Sequence, residues 1–187
     1  MSLLLDIKKI TYTEFRQMEF DDNEPAHLYE LINGEIMRRA SPNADHQFIL
    51  GNLYAHLRAF VRTNDLGKVA FAPLDVRLDD ENAPQPDLIF VQKDREHIIK
   101  RRGCIEGVPD LLVEIVSRGS ITRDRITKKS LYEGFGVREY WIIEQGGSVE
   151  INVLERGVYK LHLLANEGVI TSKLLKGFSM TIDDLFE

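Results

Sequence analysis

The chain has 187 residues, 43% hydrophobic and 29% charged, with a formal net charge of −6. This suits one folded domain over residues 1–187 and excludes a protein that coats nucleic acid by bulk electrostatics. No stretch approaches the ~18 uninterrupted apolar residues of a membrane span, and the single cysteine, Cys104, excludes an internal disulfide or a cysteine-based zinc cluster.

Met-Ser-Leu-Leu-Leu-Asp at the start lacks a basic n-region, and its apolar part is too short for a signal peptide, so a cytoplasmic location is expected. Thr11-Tyr-Thr-Glu14 fits a capping box and opens a short helix to about Met18. An acidic turn follows at Asp21–Pro25. Tyr29–Met37 reads as a hairpin, because Asn33-Gly34 between apolar residues favours a type I′ turn. Ser41-Pro42 reads as the start of a long helix to about Arg62, with Ile49, Leu50, Leu53, Leu57, Phe60 and Val61 as its apolar stripe.

Val69–Leu78 reads as one strand, Asp79–Pro84 as an acidic loop and Asp87–Val91 as a short apolar strand. Lys93–Gly103 is polar, an exposed connection. Pro109–Val116 is an apolar run of strand length with one carboxylate, Glu114, inside it. Thr122–Phe135 reads as a helix, with Gly136 as its C-terminal cap. Glu139–Ile143 is a further buried strand. Val149–Leu154 and Val158–Leu164 form a C-terminal hairpin turning near Arg156-Gly157, and Thr181–Asp184 caps a terminal turn. The order predicts an α/β (α+β) domain with a central mixed β-sheet flanked by helices.

Glu114 is the residue that needs explaining. A run such as 109–116 is covered on both faces, and an unpaired carboxylate there would cost several kcal/mol. A cation must accompany it. Asp110 lies on the same strand, and at ~3.3 Å per residue its Cα is about 13 Å away. Asp87 lies on another strand, and neighbouring strands are only ~4.8 Å apart. Asp87 is therefore the expected partner, and Asp110 a strand-entry residue. Two close carboxylates completed by water and phosphate describe a typical Mg²⁺ site. Lys128 is the candidate ammonium: Asp124, Lys128 and Tyr132 fall at i, i+4 and i+8 on one side of the following helix.

Pro86-Asp87, Glu114 and a lysine in this order resemble the PD-(D/E)XK nuclease superfamily, which has the restriction-endonuclease-like fold. There the lysine lies two residues after the glutamate on the same strand; here that place is Val116, and Lys128 on the next helix matches a migrated variant. Tyr29–Glu35, Ser41-Pro42 with His46, Pro86-Asp87-Leu88, Pro109–Ser117, Asp124-x₃-Lys128-x₃-Tyr132 and Gly136–Trp141 together resemble the putative-restriction-endonuclease family, long a domain of unknown function. The resemblance spans roughly residues 11–186.

It implies a divalent-metal nuclease fold, often a homodimer, and no defined substrate; the expected activity is Mg²⁺- or Mn²⁺-dependent cleavage of nucleic acid, with DNA as the expected substrate. Asp87 and Glu114 would hold the metal, with the Ile115 backbone carbonyl, and Lys128 would support the attacking water. Glu35, slightly ahead of Glu30, is a further acidic ligand or an exposed hairpin residue. His46 contacts phosphate or metal-bound water, or is a satisfied surface histidine. Tyr132 orients Lys128 or packs. Arg118, Arg123, Arg125 and Lys129 form a basic stretch for phosphates, or a solvated face. Tyr140-Trp141 reads as core. The alternative is a catalytically silent module of the same fold that binds nucleic acid or dimerises, favoured by the net charge and by the absence of a lysine at position 116.

Overall fold

The computed structural model describes residues 8–20, 29–39, 41–101, 103–116 and 123–187. The acidic turn at Asp21–Pro25 and the basic residue Arg118 lie outside them. Helix α1 (Tyr12–Gln17) opens with the predicted capping box, in which Thr11 and Glu14 each bond the other's backbone N–H. Strands β1 (Tyr29–Ile32) and β2 (Glu35–Arg38) form the hairpin, with Asn33 at φ 54° and Gly34 at φ 75°. Positive φ at both turn residues is what a type I′ turn requires.

Helix α2 (Ala44–Thr63) is 20 residues long. Its cap is Asn43 and not Ser41, because the Asn43 side chain accepts the His46 N–H at 3.0 Å. Val69–Leu78 is not one strand. β3 (Gly67–Phe71) joins the main sheet, whereas β4 (Val76–Arg77) pairs with β6 (Ile105–Glu106) in a small parallel sheet. Pro73 falls between them and has no N–H to continue the ladder. Lys93–Gly103 also differs from expectation: Lys93–Ile98 forms a 3₁₀ helix that buries Ile98. Cys104 beyond it is buried as well.

The main sheet has six strands in the order β10-β9-β8-β7-β5-β3. Its members are β3, β5 (Leu88–Gln92), β7 (Leu111–Val116), β8 (Glu139–Glu144), β9 (Ser148–Glu155) and β10 (Val158–Ala165). β7 and β8 are parallel and the other neighbours antiparallel, so the sheet is mixed. The C-terminal hairpin is β9–β10, which extends this sheet and does not stand apart from it.

β7 is buried along its whole length, and its two faces serve different layers. Leu111, Val113 and Ile115 pack with Leu53, Leu57 and Trp141 on the α2 side. Leu112 and Val116 pack with Tyr132 and Tyr140 on the other. Strand alternation puts Glu114 on that second face. The expected helix over 122–135 begins, among the described residues, as a π-helical turn, Arg123–Lys128, and continues as α3 (Lys129–Phe135), closed by Gly136 at φ 84°. A glycine is the residue that adopts this left-handed cap freely. β11 (Val169–Thr171), β12 (Ser179–Thr181) and α4 (Ile182–Phe186) complete the chain, with Ile170, Met180 and Leu185 in the α2-side core.

Candidate active site

Three elements converge on Glu114. β5 and β7 run antiparallel with Leu88 opposite Val113. One step further sets Asp87 against Glu114. Asp87 Oδ2 accepts the Ile115 N–H at 2.7 Å, so the aspartate takes up the backbone donor where the β5 ladder ends. The π-helical turn then lowers Lys128 onto the same face. An extra residue in a turn rotates the residues after it, and such bulges recur at functional sites.

Lys128 is 1% exposed, an extreme for a lysine. Its Nζ donates to Glu114 Oε1 at 2.9 Å and lies 2.9 Å from Glu30 Oε2 and 3.8 Å from Asp124 Oδ1. The Tyr132 hydroxyl donates to the same Glu114 Oε1 at 2.8 Å. Glu114 Oε2 takes no hydrogen bond among the described residues, which leaves a carboxylate oxygen for another partner. On the other strand, Arg39 donates to Asp87 Oδ1 at 3.0 Å, and His46 Nε2 lies 3.2 Å from Asp87 Oδ2. His46 Nδ1 is buried and has no hydrogen bond among the described residues.

Among the described residues, four buried carboxylates, Glu30, Asp87, Glu114 and Asp124, gather around Lys128 and Arg39. Their closeness appears in the protonation of the group. Burial and the neighbouring Asp124, Asp87 and Glu30 push Glu114 up to about 8, against the opposing pull of Lys128. Burial alone would lower Lys128, but Glu114, Glu30 and Asp124 hold it above its ordinary value, so it stays charged. Burial also works against ionised Asp87, yet His46, Arg39 and the Ile115 amide keep it below the usual carboxylate value. At neutral pH the group holds an ionised Asp87, a charged Lys128 and a Glu114 that keeps its proton.

This donor set fits a hard divalent cation. The ligands are carboxylate oxygens from adjacent strands, and Mg²⁺ is commonly held by one or two carboxylates with water and phosphate. A cation would take the place of the Glu114 proton. Among the described residues, no group of three or more His, Cys, Asp or Glu side chains forms a ready cage. A two-carboxylate site of this kind does not need one.

The structure brings Asp87, Glu114, Lys128, His46 and Tyr132 together. Glu30 joins them, fully buried on β1, whereas Glu35 is exposed on β2. Glu35 stands opposite Ile32 on the same face of the hairpin as Glu30, but at its turn end, where it is exposed; the sequence signal for Glu30 was its place between apolar Tyr29 and Leu31. Arg39 was missed, since an arginine after a hairpin reads as surface. Arg125 does not reach the carboxylates: it bridges Glu144 and Glu150, each at 2.5 Å. Lys129 bonds Glu150 at 2.8 Å. Arg125 fastens the π-helical turn to β8 and β9, and Lys129 fastens the start of α3 to β9.

The sequence model of the Uma2 family, described as "Putative restriction endonuclease", matches residues 12–183. The chain belongs to this family. Uma2 membership supports nuclease function in general terms. The crystal structure of a putative nuclease of DUF820 from Anabaena variabilis ATCC 29413 superposes with a TM-score of 0.75 at 18% identity, covering 95% of this chain and 97% of that one. The likeness shows that this Uma2 chain has the fold of that protein. No curated protein matches it. Among the described residues, no helix is long and apolar enough to cross a membrane.

Proposed function

We propose that this Uma2 protein is a Mg²⁺- or Mn²⁺-dependent endonuclease that hydrolyses phosphodiesters of nucleic acid, with DNA as the substrate. The observation that carries the proposal is the buried Lys128 ammonium, 2.9 Å from both Glu114 and Glu30, with Asp87 on the strand next to Glu114. A lysine and several acids are costly to bury together, and perturbed groups of this kind mark functional sites.

Asp87 and Glu114, with the Ile115 carbonyl, would hold the metal. When bound, it would supply Lewis-acid stabilisation of a phosphoryl oxygen and a water of lowered pKa. The chain's own residues do the rest. Arg39, His46 and the Ile115 amide fix Asp87 in its ionised form. Tyr132 holds Glu114 Oε1 and so orients the carboxylate. Lys128 places a preorganised positive charge where negative charge gathers on the attacked phosphate. The family resemblance further supports a homodimer, and the cytoplasm is the compartment this reading assigns.

The test is cleavage of plasmid DNA, single-stranded DNA and RNA with Mn²⁺ or Mg²⁺, comparing the wild type with Asp87→Ala and Glu114→Ala. Cleavage by the wild type and its loss in both variants is expected. Cleavage that survives both substitutions overturns the assignment. One observation favours the silent module instead: Lys128 and Arg39 already sit on the two carboxylates. That reading gives no cleavage with any metal, and binding that weakens steeply with salt.

A further inference from the structure

A cavity is joined to the carboxylate cluster through Gln85. Its volume is about 310 Å³, and it is walled by Phe15, Phe20, Pro73 and Leu74, with Asp75, Gln85 and Arg16 as its polar groups. Ligand sites are typically clefts of roughly 300–1,000 Å³ with a few convergent polar groups.

Those polar groups form a string that ends at the carboxylate cluster. Tyr12 OH donates to Asp75 Oδ2 at 2.9 Å, and Arg16 donates to the same oxygen at 3.3 Å. Gln85 Nε2 donates to Asp75 Oδ1 at 2.7 Å. Gln85 Oε1 accepts from Arg39 at 3.2 Å, and Arg39 also bonds Asp87. Asp75 is only 7% exposed, so its carboxylate is a built acceptor and not a solvated one. Arg16, 62% exposed, uses one N–H on Asp75 and keeps the others for a ligand.

We propose that this cavity binds a nucleobase carrying an exocyclic amino group. Phe20, which stacks on Tyr29 at 4.3 Å, and the edge of the buried Phe15, 5.9 Å from it, give the apolar and aromatic wall against which a planar ring rests. Asp75 accepts from the amino group, and Arg16 donates to the adjacent ring nitrogen or carbonyl. Thymine has one ring N–H flanked by two carbonyls, which the carboxylate repels, and it binds poorly. The base comes from a free nucleoside or from the substrate strand. Gln85 and Asp87 are two residues apart, so a base here would belong to a nucleotide within reach of the carboxylate cluster. The substrate-strand source rests on the nuclease reading; the binding of free nucleosides does not.

The first arm of the test is calorimetric titration of the intact protein with adenosine, guanosine, cytidine and thymidine. Saturable binding of at least one amino-bearing nucleoside, at least tenfold tighter than thymidine, is expected. Asp75→Asn, and Met18→Trp at the cavity rim, should each weaken it at least tenfold, whereas Glu114→Gln should retain it. Met18 is 39% exposed, so this change blocks the cavity without touching the core should Asp75→Asn misfold.

The second arm adds a single strand containing 2-aminopurine to Glu114→Gln protein. A fluorescence change abolished by Met18→Trp identifies the substrate strand as the source. Nucleoside binding without that change identifies free nucleosides. No response in either arm, or binding indifferent to both cavity variants, overturns the proposal. Mn²⁺-dependent cleavage is read separately, so loss of the nuclease reading and loss of this one give different results.

Discussion

Lys128 Nζ donates to Glu114 Oε1 at 2.9 Å across 14 residues of chain, with both side chains almost wholly out of water. Removing one partner of such a pair leaves the other charge uncompensated, which costs about 3–5 kcal/mol. Lys128→Met is therefore expected to destabilise the fold by that amount in urea denaturation at neutral pH. The loss should grow above about pH 8, where Glu114 gives up its proton and needs the ammonium more. Lys128→Met combined with Glu114→Gln should be less destabilised than the two single changes added. A loss below about 1 kcal/mol for Lys128→Met would show that Lys128 is not the counter-ion of this cluster.

Glu114 sets a pH dependence of definite sign. Its pKa rises from an ordinary 4.5 to about 8 in the folded chain. Between these values the folded state binds more protons than the unfolded one, so stability falls as pH rises. The contribution is fully present below about pH 4.5 and gone above about pH 8. Glu114→Gln removes it. Chemical denaturation from pH 5 to 8.5 should show wild-type stability declining and the variant nearly level in this window. Parallel curves would remove Glu114 as the source.

Much of this arrangement was legible in the sequence. The apolar run 109–116 announced a doubly covered strand, and strand spacing alone separated Asp110 from Glu114 and put Asp87 beside it. The i, i+4, i+8 spacing put Asp124, Lys128 and Tyr132 on one side. What periodicity does not encode is long-range hydrogen bonding. Glu30 and Arg39 enter from a hairpin whose packing against the sheet is a tertiary choice. The π-helical turn is equally hidden, since a turn of five differs from one of four only through the surface it packs on. Asn43 overrode Ser41 as a cap because its side chain reaches the His46 amide.

Tyr132 contributes through one hydroxyl. Its donation to Glu114 Oε1 at 2.8 Å is buried, and the ring packs edge-on against Tyr140 at 5.1 Å. Tyr132→Phe keeps the ring and removes the bond, so a loss of about 1–3 kcal/mol is expected by thermal or urea unfolding. The hydroxyl favours ionised Glu114, so its removal should also move the pH-dependent decline to higher pH. A decline that moves to lower pH would show that the hydroxyl does not donate to the carboxylate.

Arg125 and Lys129 separate two roles for the basic stretch. Both are engaged by acids: Arg125 by Glu144 and Glu150, Lys129 by Glu150. An arginine that contacts a phosphate contributes about 0.9 to the slope of log affinity against log salt. An arginine that only fastens the π-helical turn contributes stability, roughly 1 kcal/mol for a partly exposed pair. Arg125→Gln is therefore expected to lower the melting temperature by a few degrees while leaving the salt slope of DNA binding unchanged. Because Lys128 ends the same turn, cleavage should fall with it even at DNA concentrations that saturate the protein. A salt slope reduced by about one, with stability intact, would instead make Arg125 a phosphate contact.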